Sequence, residues 1–340
     1  MLQTGTPCLE IEGLVKDVGP IPSLDGRMKR VLAGIDLTAR AGEITVLLGV
    51  NGAGKTTTLE CAQGLQKRTD GVVRLLGQDP EKADAELRAR VGIMLQEGGL
   101  PPSARPLALL RHVSGMYADP QPVDELAERL GIHEFASTTI RRLSGGQKQR
   151  VALAATLIGR PEVVFLDEPS AGLDPQSREL VVELIDELRR EGLGIILTTH
   201  LLDDAERLAD VVHILDRGRV ITSGSVAEIL EGREGAGTRL TLRTEPGLPL
   251  ADAFAGRAER EAITVTEPST GHYVIEGELT SADLAGIAQW LHAHGIMPQH
   301  LELGRANLQD VFLAIAAESA EESADSDLER GRRGSRRSAA

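Results

Sequence analysis

The feature that most constrains this chain is the glycine-rich segment Gly49-Val50-Asn51-Gly52-Ala53-Gly54-Lys55-Thr56. It fits the pattern G-x-x-x-x-G-K-[ST], in which backbone N–H groups surround phosphates, the lysine reaches the β- and γ-phosphates, and the hydroxyl holds Mg²⁺. The segment therefore predicts a nucleoside triphosphate site. Its candidate phosphate-binding residues are Gly49, Asn51, Gly52, Ala53, Gly54, Lys55, Thr56 and Thr57.

The residues on either side of this loop support the prediction. Residues 43–48 form an apolar run typical of a buried strand, and residues 57–62 begin a helical pattern. Strand, loop and helix in this order are the context that the motif requires, and the helix N-terminus adds a partial positive charge. An accidental glycine-rich turn would not need these flanks, so we favour the phosphate-binding interpretation.

A second candidate region ends in two carboxylates. Residues 163–169 read Val-Val-Phe-Leu-Asp-Glu-Pro, an apolar run long enough to cross a covered parallel sheet. Ligands of α/β folds bind at the carboxyl ends of such strands. Asp167 is therefore predicted to hold the Mg²⁺ shell, and Glu168 is predicted to orient or deprotonate the attacking water. The alternative, an ordinary acidic strand end, is less favoured because the phosphate loop is present.

A third motif is Leu143-Ser144-Gly145-Gly146-Gln147. Ser144 offers a hydroxyl, the two glycines allow close backbone approach, and the following residues continue as a helix whose N-terminus favours an anion. A phosphate loop binds its nucleotide without such a segment in the same subunit. The motif therefore raises the question of whose nucleotide it touches.

The order of these motifs resembles that of the ATP-binding subunit of an ABC transporter. The resemblance covers residues from about 9 to 230 and rests on the Walker A loop at 49–56, Gln96, LSGGQ at 143–147, the Walker B strand at 163–168, Ser170-Ala171-Gly172-Leu173-Asp174, and His200. It implies ATP and Mg²⁺ as ligands. It also implies a head-to-tail homodimer in which each ATP lies between one Walker A loop and the partner's LSGGQ.

The resemblance further assigns roles to single residues. It implies that Gln96 reaches Mg²⁺, that His200 hydrogen-bonds the γ-phosphate, and that Asp174 lies at the dimer seam. The expected catalytic residues are then Glu168, His200 and Gln96. The expected metal ligands are Thr56, Gln96 and Asp167. The further nucleotide-binding residues, serving the partner's γ-phosphate or its site, are Ser144, Gly145, Gly146, Gln147 and Asp174.

One position of the family pattern differs in this chain. In the family an aromatic residue stacks on adenine near residues 14–19, and the matching residue here is Val18. Only 2% of the chain is aromatic, so few other rings are at hand. Either an aliphatic surface covers the base, or selectivity for adenine is weak.

Composition limits the remaining possibilities. The chain has 340 residues, of which 41% are hydrophobic and 26% charged, which predicts a large core and two domains. A net charge of −14 without a basic stripe argues against nucleic acid as a partner. Two cysteines, Cys8 and Cys61, without CxxC spacing favour a reducing compartment. No apolar run approaches the roughly 20 residues that span a bilayer, so the expected permease is a separate chain.

The predicted fold class is α/β, with a P-loop ATPase domain that carries antiparallel β and helical subdomains. This domain is predicted at residues 1–230, with its helical subdomain at about 97–155. Residues 9–95 are predicted to form short strands and the phosphate-loop helix, and residues 175–190 are predicted to form a helix. A linker at 231–238, a small α+β accessory domain at 239–316 and a disordered tail at 317–340 follow. The accessory domain is predicted to contain strands at 239–243, 263–266 and 273–276 and helices at 281–293 and 308–316. Within the accessory domain, residues 307–313 resemble ATPases of the daunorubicin-resistance type. His292, His294 and His300 lack acidic or cysteine partners at ligand spacing, so solvated loop histidines are expected there rather than a metal site.

These features predict an ATP-hydrolysing subunit that drives transport, and more specifically export, through a separate membrane permease. Such a protein is expected in the cytoplasm, peripheral on the inner face of the membrane through that permease. The alternative is a soluble ABC ATPase that acts on nucleic acid or ribosomes. Such proteins usually carry two cassettes or a long coiled coil, and this sequence shows neither. A non-hydrolysing nucleotide switch is disfavoured by Glu168 and His200.

Overall fold

The computed structural model describes residues 3–21, 26–94, 99–231, 238–254, 263–277, 279–305, 307–309, 311–312 and 315. Within these ranges the chain divides into two compact units, the first ending at Val226 and the second beginning at Ala227. The predicted linker at 231–238 and the predicted tail at 317–340 lie almost entirely or entirely outside the described residues. Among the described residues, no helix combines the length and the apolar character that a membrane span requires.

The larger unit alternates strands and helices along most of its length. Its elements in chain order are β1 (Pro7–Ile21), β2 (Arg27–Arg40), β3 (Ile44–Gly49), α1 (Lys55–Ala62), β4 (Asp70–Leu75), α2 (Ala85–Ala89), β5 (Val91–Met94), α3 (Pro106–Ser114), α4 (Val123–Arg129), α5 (Gly145–Leu157), β6 (Val163–Asp167), α6 (Pro175–Arg190), β7 (Gly194–Thr198), α7 (Leu202–Leu208), β8 (Val211–Asp216) and β9 (Arg219–Gly224). A further helix, α8 (Val226–Glu231), spans the boundary between the units.

The central sheet of this unit has six strands in the order β5-β6-β7-β3-β8-β9. The first five run parallel, and β9 closes the edge antiparallel to β8. Every residue of β3, β6 and β7 is buried, as expected for strands covered on both faces. In this order β7 lies between β6 and β3, so the carboxyl ends of the three strands are neighbours.

A second sheet is antiparallel, with the order β2-β1-β4. The sequence pattern predicted short strands in this region, and that expectation was wrong, because β1 has 15 residues and β2 has 14. Several register shifts interrupt their pairing, and Gly13 and Gly34 have positive φ values. Such irregularities break the period-two alternation, so one long strand resembles several short ones.

Both sheets share one apolar core with α1. The buried residues in this cluster include Leu9, Ile11, Leu37 and Val73 from the antiparallel sheet, Leu47, Phe165, Ile196 and Leu215 from the parallel sheet, and Leu59 from α1. This packing holds the strand that precedes the phosphate loop against the helix that follows it.

Residues 99–157 contain α3, α4 and α5 together with two short 3₁₀ turns, Ile132–Phe135 and Ile140–Arg142. Pro106 opens α3 at a position where its missing N–H costs nothing. Arg150 of α5 donates to the carbonyl of Leu130 at 3.2 Å, and its guanidinium lies 4.9 Å from the centre of the Phe135 ring. These contacts fix α5 within the helical region.

In the part of the smaller unit that the structure describes, a helix packs on an antiparallel sheet. Its remaining elements are β10 (Thr238–Arg243), β11 (Ile263–Ser269), β12 (His272–Gly277), α9 (Ser281–Ala293) and β13 (His300–Arg305), with the sheet order β11-β12-β10-β13. Leu240, Ile275, Ile287 and Leu291 are buried in its core. The helix predicted from Leu308 onward is described only in part, with residues 308–309, 311–312 and 315 helical.

Candidate functional site

Three turns meet at one edge of the parallel sheet, and we call this place the catalytic edge. They follow β3, β6 and β7, and they carry the phosphate loop, the pair Asp167 and Glu168, and His200 respectively. The sheet order makes these turns neighbours although they are far apart in sequence. The carboxyl edge of a parallel sheet is where ligands of α/β folds bind.

The phosphate loop leads directly into α1. Gly54 occupies the N-cap position with φ 108°, a left-handed value that a residue with a Cβ rarely adopts. Neither a side-chain cap nor an acidic residue occupies the start of α1. The first turn of α1 therefore presents backbone N–H groups and a partial positive charge toward an anion.

Close packing fixes the beginning of the loop. A methyl group placed at Gly49 would lie 2.5 Å from the carbonyl oxygen of Leu215 and 2.9 Å from the Ala53 Cβ. Gly52, in contrast, has φ 86°, and a methyl group placed there would meet no described atom within 4 Å. The loop is thus anchored against β8 at one end and open at Gly52, where Asn51 is also exposed.

Lys55 lies inside the loop and is half-buried. Its Nζ donates to the carbonyl oxygen of Gly49 at 2.6 Å and approaches that of Val50 at 3.4 Å. Burial lowers the pKa of Lys55, and the negative charges of Glu168 and Asp167 oppose that shift. The ammonium group is therefore within electrostatic reach of both carboxylates of the catalytic edge.

Asp167 and Glu168 are both buried at the end of β6. The hydroxyl of Thr198 on the neighbouring β7 donates to Asp167 Oδ1. The backbone N–H of Glu168 donates to the carbonyl oxygen of Thr198 at 3.2 Å and approaches its Oγ1 at 3.3 Å. One threonine thus links both acidic residues to the next strand.

Glu168 has an unusual backbone conformation. Its φ is 54°, in the left-handed region where a residue other than glycine pays roughly 1–2 kcal/mol. Hydrogen bonds on its N–H, its carbonyl and its carboxylate hold it there. The Glu168 carbonyl oxygen accepts from Ala171 N–H at 3.2 Å and from Gln149 Nε2 at 2.7 Å.

His200 follows β7 and pairs directly with Glu168. Its Nδ1 lies 2.7 Å from Glu168 Oε2, and its backbone N–H approaches the same oxygen at 3.3 Å. The histidine side chain is 59% exposed, whereas that of Glu168 is 9% exposed. The imidazole therefore joins a buried carboxylate to the surface of the catalytic edge.

The LSGGQ residues Ser144–Gln147, which we call the signature segment, begin α5. Ser144 Oγ accepts from the N–H of Gln147 at 3.2 Å, and Gln147 Oε1 accepts from the N–H of Ser144 at 3.1 Å. This reciprocal pair is a capping box, a strong start signal for a helix. Ser144 and Gly145 are exposed, whereas Gly146 is buried, and a methyl group placed there would lie 3.1 Å from Leu173 Cδ2.

Asp174 caps the next helix, α6. Its Oδ1 accepts from the N–H of Ser177 at 3.0 Å, and hydrogen bonds from the Ser177 side chain and backbone lower the pKa of Asp174. The carboxylate therefore has a local structural use, and its predicted place at a dimer seam stays a prediction. Gln96 lies outside the described residues, so its predicted roles at Mg²⁺ and in catalysis also stay predictions.

Sequence reasoning assigned no individual role to several polar residues that support these groups. They are Gln149, Thr198, and the linked trio Ser170, Arg178 and Asp204. Asp204 is buried and accepts from Ser170 Oγ at 2.5 Å and from Arg178 Nε at 2.8 Å. A threonine at the end of the apolar strand β7 was a signal for Thr198. Gln149 and Asp204 gave no such signal, because their partners are distant in sequence.

The oxygen donors at the catalytic edge suit a hard divalent cation. Thr56 offers an exposed hydroxyl, and Asp167 offers a carboxylate held by Thr198. Mg²⁺ bound together with phosphates typically takes one or two protein carboxylates and completes its shell with phosphate and water oxygens. In the described ranges no three histidine, cysteine or acidic residues cluster as a metal site.

The chain has extensive similarity to known proteins. A family model described as "ABC transporter" matches residues 32–171. The chain is 32% identical over 298 residues to daunorubicin resistance ATP-binding protein DrrA3 of Streptomyces coeruleorubidus, covering 85% of this chain and 92% of that protein. It is 34% identical over 292 residues to Nod factor export ATP-binding protein I of Burkholderia lata, covering 84% and 92%.

Solved structures show the same fold. The ATP-binding subunit of an ABC transporter superposes with a TM-score of 0.59 at 27% identity, covering 66% of this chain and 92% of that one. A dimeric, post-hydrolysis ATP-binding cassette with bound ADP and phosphate gives a TM-score of 0.56 at 25% identity, covering 64% and 98%.

Proposed function

The chain belongs to the ABC transporter family as an ATP-binding subunit and ATPase, and on that premise we propose that it powers export through a separate membrane permease. The relatives named above are described as a drug-resistance protein and as a Nod factor export protein. The alternative of an ATPase that acts on nucleic acid or ribosomes finds no support in those names. The permease would hold this subunit at the inner face of the membrane.

The observation that carries the proposal is the convergence at the catalytic edge. Lys55, Asp167, Glu168 and His200 come from three separate turns, and hydrogen bonds and charge bring them into one place. Their chemistry matches the needs of phosphoryl transfer to water, which are phosphate binding, charge neutralisation and a positioned base.

In the proposed reaction the loop holds ATP through its phosphates. Lys55 turns from the Gly49 and Val50 carbonyls to the β- and γ-phosphates, and the N–H groups at the start of α1 face the same anion. Mg²⁺, held by Thr56, Asp167 and the nucleotide, would neutralise phosphate charge. Val18 lies on β1, is 40% exposed, and would offer the base an aliphatic contact.

Glu168 then acts on water. Its buried carboxylate accepts the proton of the attacking water as the water oxygen bonds to the γ-phosphorus and the bond to the leaving ADP oxygen breaks. His200 holds the carboxylate through Nδ1 at 2.7 Å, and its exposed ring can turn toward the γ-phosphate. ADP and phosphate are the products.

The signature segment is proposed to complete the site of a second copy. Ser144 and Gly145 are exposed at the N-terminus of α5, so their hydroxyl and backbone N–H groups are accessible to a phosphate outside this chain. A similar cassette has been solved as a dimer. A head-to-tail homodimer would place each signature segment opposite the partner's phosphate loop.

If a neighbouring gene encodes a membrane protein, that protein is the candidate permease, and the proposal can be tested in membrane vesicles that contain it. We expect the chain to bind vesicles with that protein and not empty vesicles, and the permease to change the rate of phosphate release. Glu168→Gln should bind the same vesicles but release little phosphate. Equal binding to both kinds of vesicle, with unchanged phosphate release, would contradict a permease-coupled function.

A further inference from the structure

Gln149 connects the helix of the signature segment to the residue proposed as general base. It lies on α5, five residues after Ser144, and its side-chain amide donates to the backbone carbonyl of Glu168 at 2.7 Å. The side chain is half-buried, so water competes only partly for this bond. A hydrogen bond between two elements distant in sequence fixes their relative position.

The bond acts on a backbone group that sets the direction of the Glu168 side chain. The Glu168 carbonyl has two lone pairs, and Ala171 N–H and Gln149 use both. Glu168 has φ 54°, and a non-glycine residue is less strained in the right-handed region of φ and ψ. Without restraining contacts, the Glu168 backbone would therefore favour that region. Rotation of the carbonyl toward that conformation would also turn the carboxylate away from His200.

The helix that carries Gln149 is firmly placed. The capping box of Ser144 and Gln147 fixes its first turn, and Arg150 fixes its next turn to Leu130 and Phe135. Gly146 also packs against Leu173, three residues beyond Ser170 in the turn after β6. Gln149 can therefore serve as a rigid support and not merely as a side chain that follows Glu168.

We infer that Gln149 is a positioning residue for hydrolysis, which holds the Glu168 peptide so that its carboxylate faces the attacking water. This inference rests on the proposed role of Glu168 as general base. It also implies that the helix beginning at the signature segment supports the catalytic carboxylate of its own chain.

A matched pair of variants separates positioning from simple stabilisation. Gln149→Met removes the amide while retaining much of the side-chain volume. Gln121→Met is the control, because Gln121 Nε2 donates to the carbonyl of Leu157 at 3.0 Å, at the opposite end of α5. Both substitutions remove one half-buried amide-to-carbonyl bond that joins α5 to a residue outside it. Loss of stability alone should affect the two variants alike.

The full-length protein is assayed for kcat, KM for ATP and melting temperature. We expect Gln149→Met to lower kcat about tenfold with KM within about twofold, which is the pattern of an interaction needed in the transition state. Gln121→Met should retain kcat at a comparable melting temperature. Gln149→Glu should lower kcat further, because an ionised carboxylate has no proton to donate and repels the carbonyl.

The decisive measurement repeats Gln149→Met in a Glu168→Gln background, with turnover followed over long single-turnover times. If Gln149 acts through Glu168, the tenfold effect should shrink to less than about twofold there. An equal effect in both backgrounds, or normal kcat of Gln149→Met alone, would overturn the inference. Normal turnover of Glu168→Gln would instead refute the proposed base and leave the two failures distinguishable.

Discussion

The catalytic edge and the signature segment differ in where their polar groups find partners. At the catalytic edge Asp167, Glu168 and Lys55 already have hydrogen-bond partners inside the chain, and both carboxylates are buried. In the signature segment Ser144 and Gly145 are exposed, and the Ser144 side chain bonds only to the start of its own helix among the described contacts. The polar groups of the catalytic edge are therefore paired within the chain, whereas those of the signature segment face solvent.

The largest expected effect tests the catalytic edge alone. Glu168→Gln keeps the side-chain size but replaces the basic carboxylate with an amide, which has one acceptor oxygen and one NH₂ donor group. We expect Mg-ATP binding to persist and steady-state phosphate release to fall at least ~100-fold, within the range for loss of a positioned general base. Near-normal turnover would mean that this edge does not supply the base.

The next prediction tests whether the two regions serve different nucleotides. We expect mixed dimers with Lys55→Ala in one subunit and Ser144→Arg in the other to keep one intact composite site, because both changes damage the same site. With both changes in one subunit, neither site should remain intact. Tagged dimers of verified composition, assayed for ATP retained per dimer, give the comparison.

If the signature segment served its own chain's nucleotide, the result would be reversed. The subunit with both changes would then leave the partner's site intact, and the divided arrangement would damage both. Equal ATP retention in the two arrangements would also contradict a site shared across the dimer.

Gly145→Ala tests the outward surface with little disturbance of the fold. The nearest described atom to a methyl group at Gly145 is Gly172 O at 4.0 Å, and the residue begins a helix, where alanine is acceptable. We expect an unchanged melting temperature but about tenfold slower hydrolysis, since the methyl group blocks close approach of a phosphate. Gly146→Ala is the contrast, because it meets Leu173 and should lower the melting temperature. Full activity of Gly145→Ala would show that nothing approaches this surface.

A smaller effect concerns recognition of adenine, because Val18 stands where the family resemblance predicts an aromatic ring. Stacking is worth roughly 1–3 kcal/mol in nucleic-acid sites, so its absence should leave affinity to the phosphates that ATP and GTP share. We expect GTP hydrolysis within about tenfold of ATP, and tighter ATP binding by Val18→Tyr. Measured kcat/KM values for both nucleotides decide this. A hundredfold preference for ATP would indicate that another group recognises adenine.

The smallest effect concerns the sheet that supports the catalytic edge. His213 on β8 is buried, neither ring nitrogen has a described hydrogen-bond partner, and burial lowers its pKa from 6.5 to about 4. Between these values the unfolded chain binds a proton that the folded chain does not, so stability falls as pH decreases from 6.5 toward 4. We expect the free energy of unfolding to drop about 1 kcal/mol between pH 7 and pH 5.5 through this residue.

His213→Leu should remove that part of the pH dependence and leave the remainder. Denaturant unfolding of both proteins at the two pH values measures it. An identical pH dependence would show that His213 is not neutral in the folded sheet. Comparisons between the two regions are cleanest above pH 7, where this effect is absent.

The sequence predicted the residues of the catalytic edge better than it predicted the residues that hydrogen-bond to them. Lys55, Asp167, Glu168 and His200 stand in short local motifs whose chemistry can be recognised without knowing the fold. The α/β fold and membership of the ABC ATPases are confirmed by the sheet order and by the similar structures. Likewise, α6 and α9 have the predicted bounds because amphipathic spacing and N-caps are local signals.

What could not be predicted depends on contacts between distant residues. The bonds of Gln149 to Glu168 and of Thr198 to Asp167 join residues 19 and 31 positions apart. The pairing of His200 with Glu168 likewise requires β6 and β7 to be neighbours. No single sequence motif predicts that these two strands are adjacent. β13 was not predicted, although it has the same length as β10 and β12, and the long β1 and β2 were divided by their register shifts.

The order of strands in the central sheet also determines when the ATP site can form during synthesis. β3, which leads into the phosphate loop, pairs with β7 and β8. It does not pair with β5 or β6, which are the next two strands of that sheet along the chain. The loop is therefore made long before the strands that flank it emerge from the ribosome. A chain ending before Gly194 contains the complete glycine-rich motif but lacks both neighbours of the strand that positions it. Long-range parallel pairing of this kind forms late, because closing the long intervening loop costs conformational entropy before the strand contacts can form.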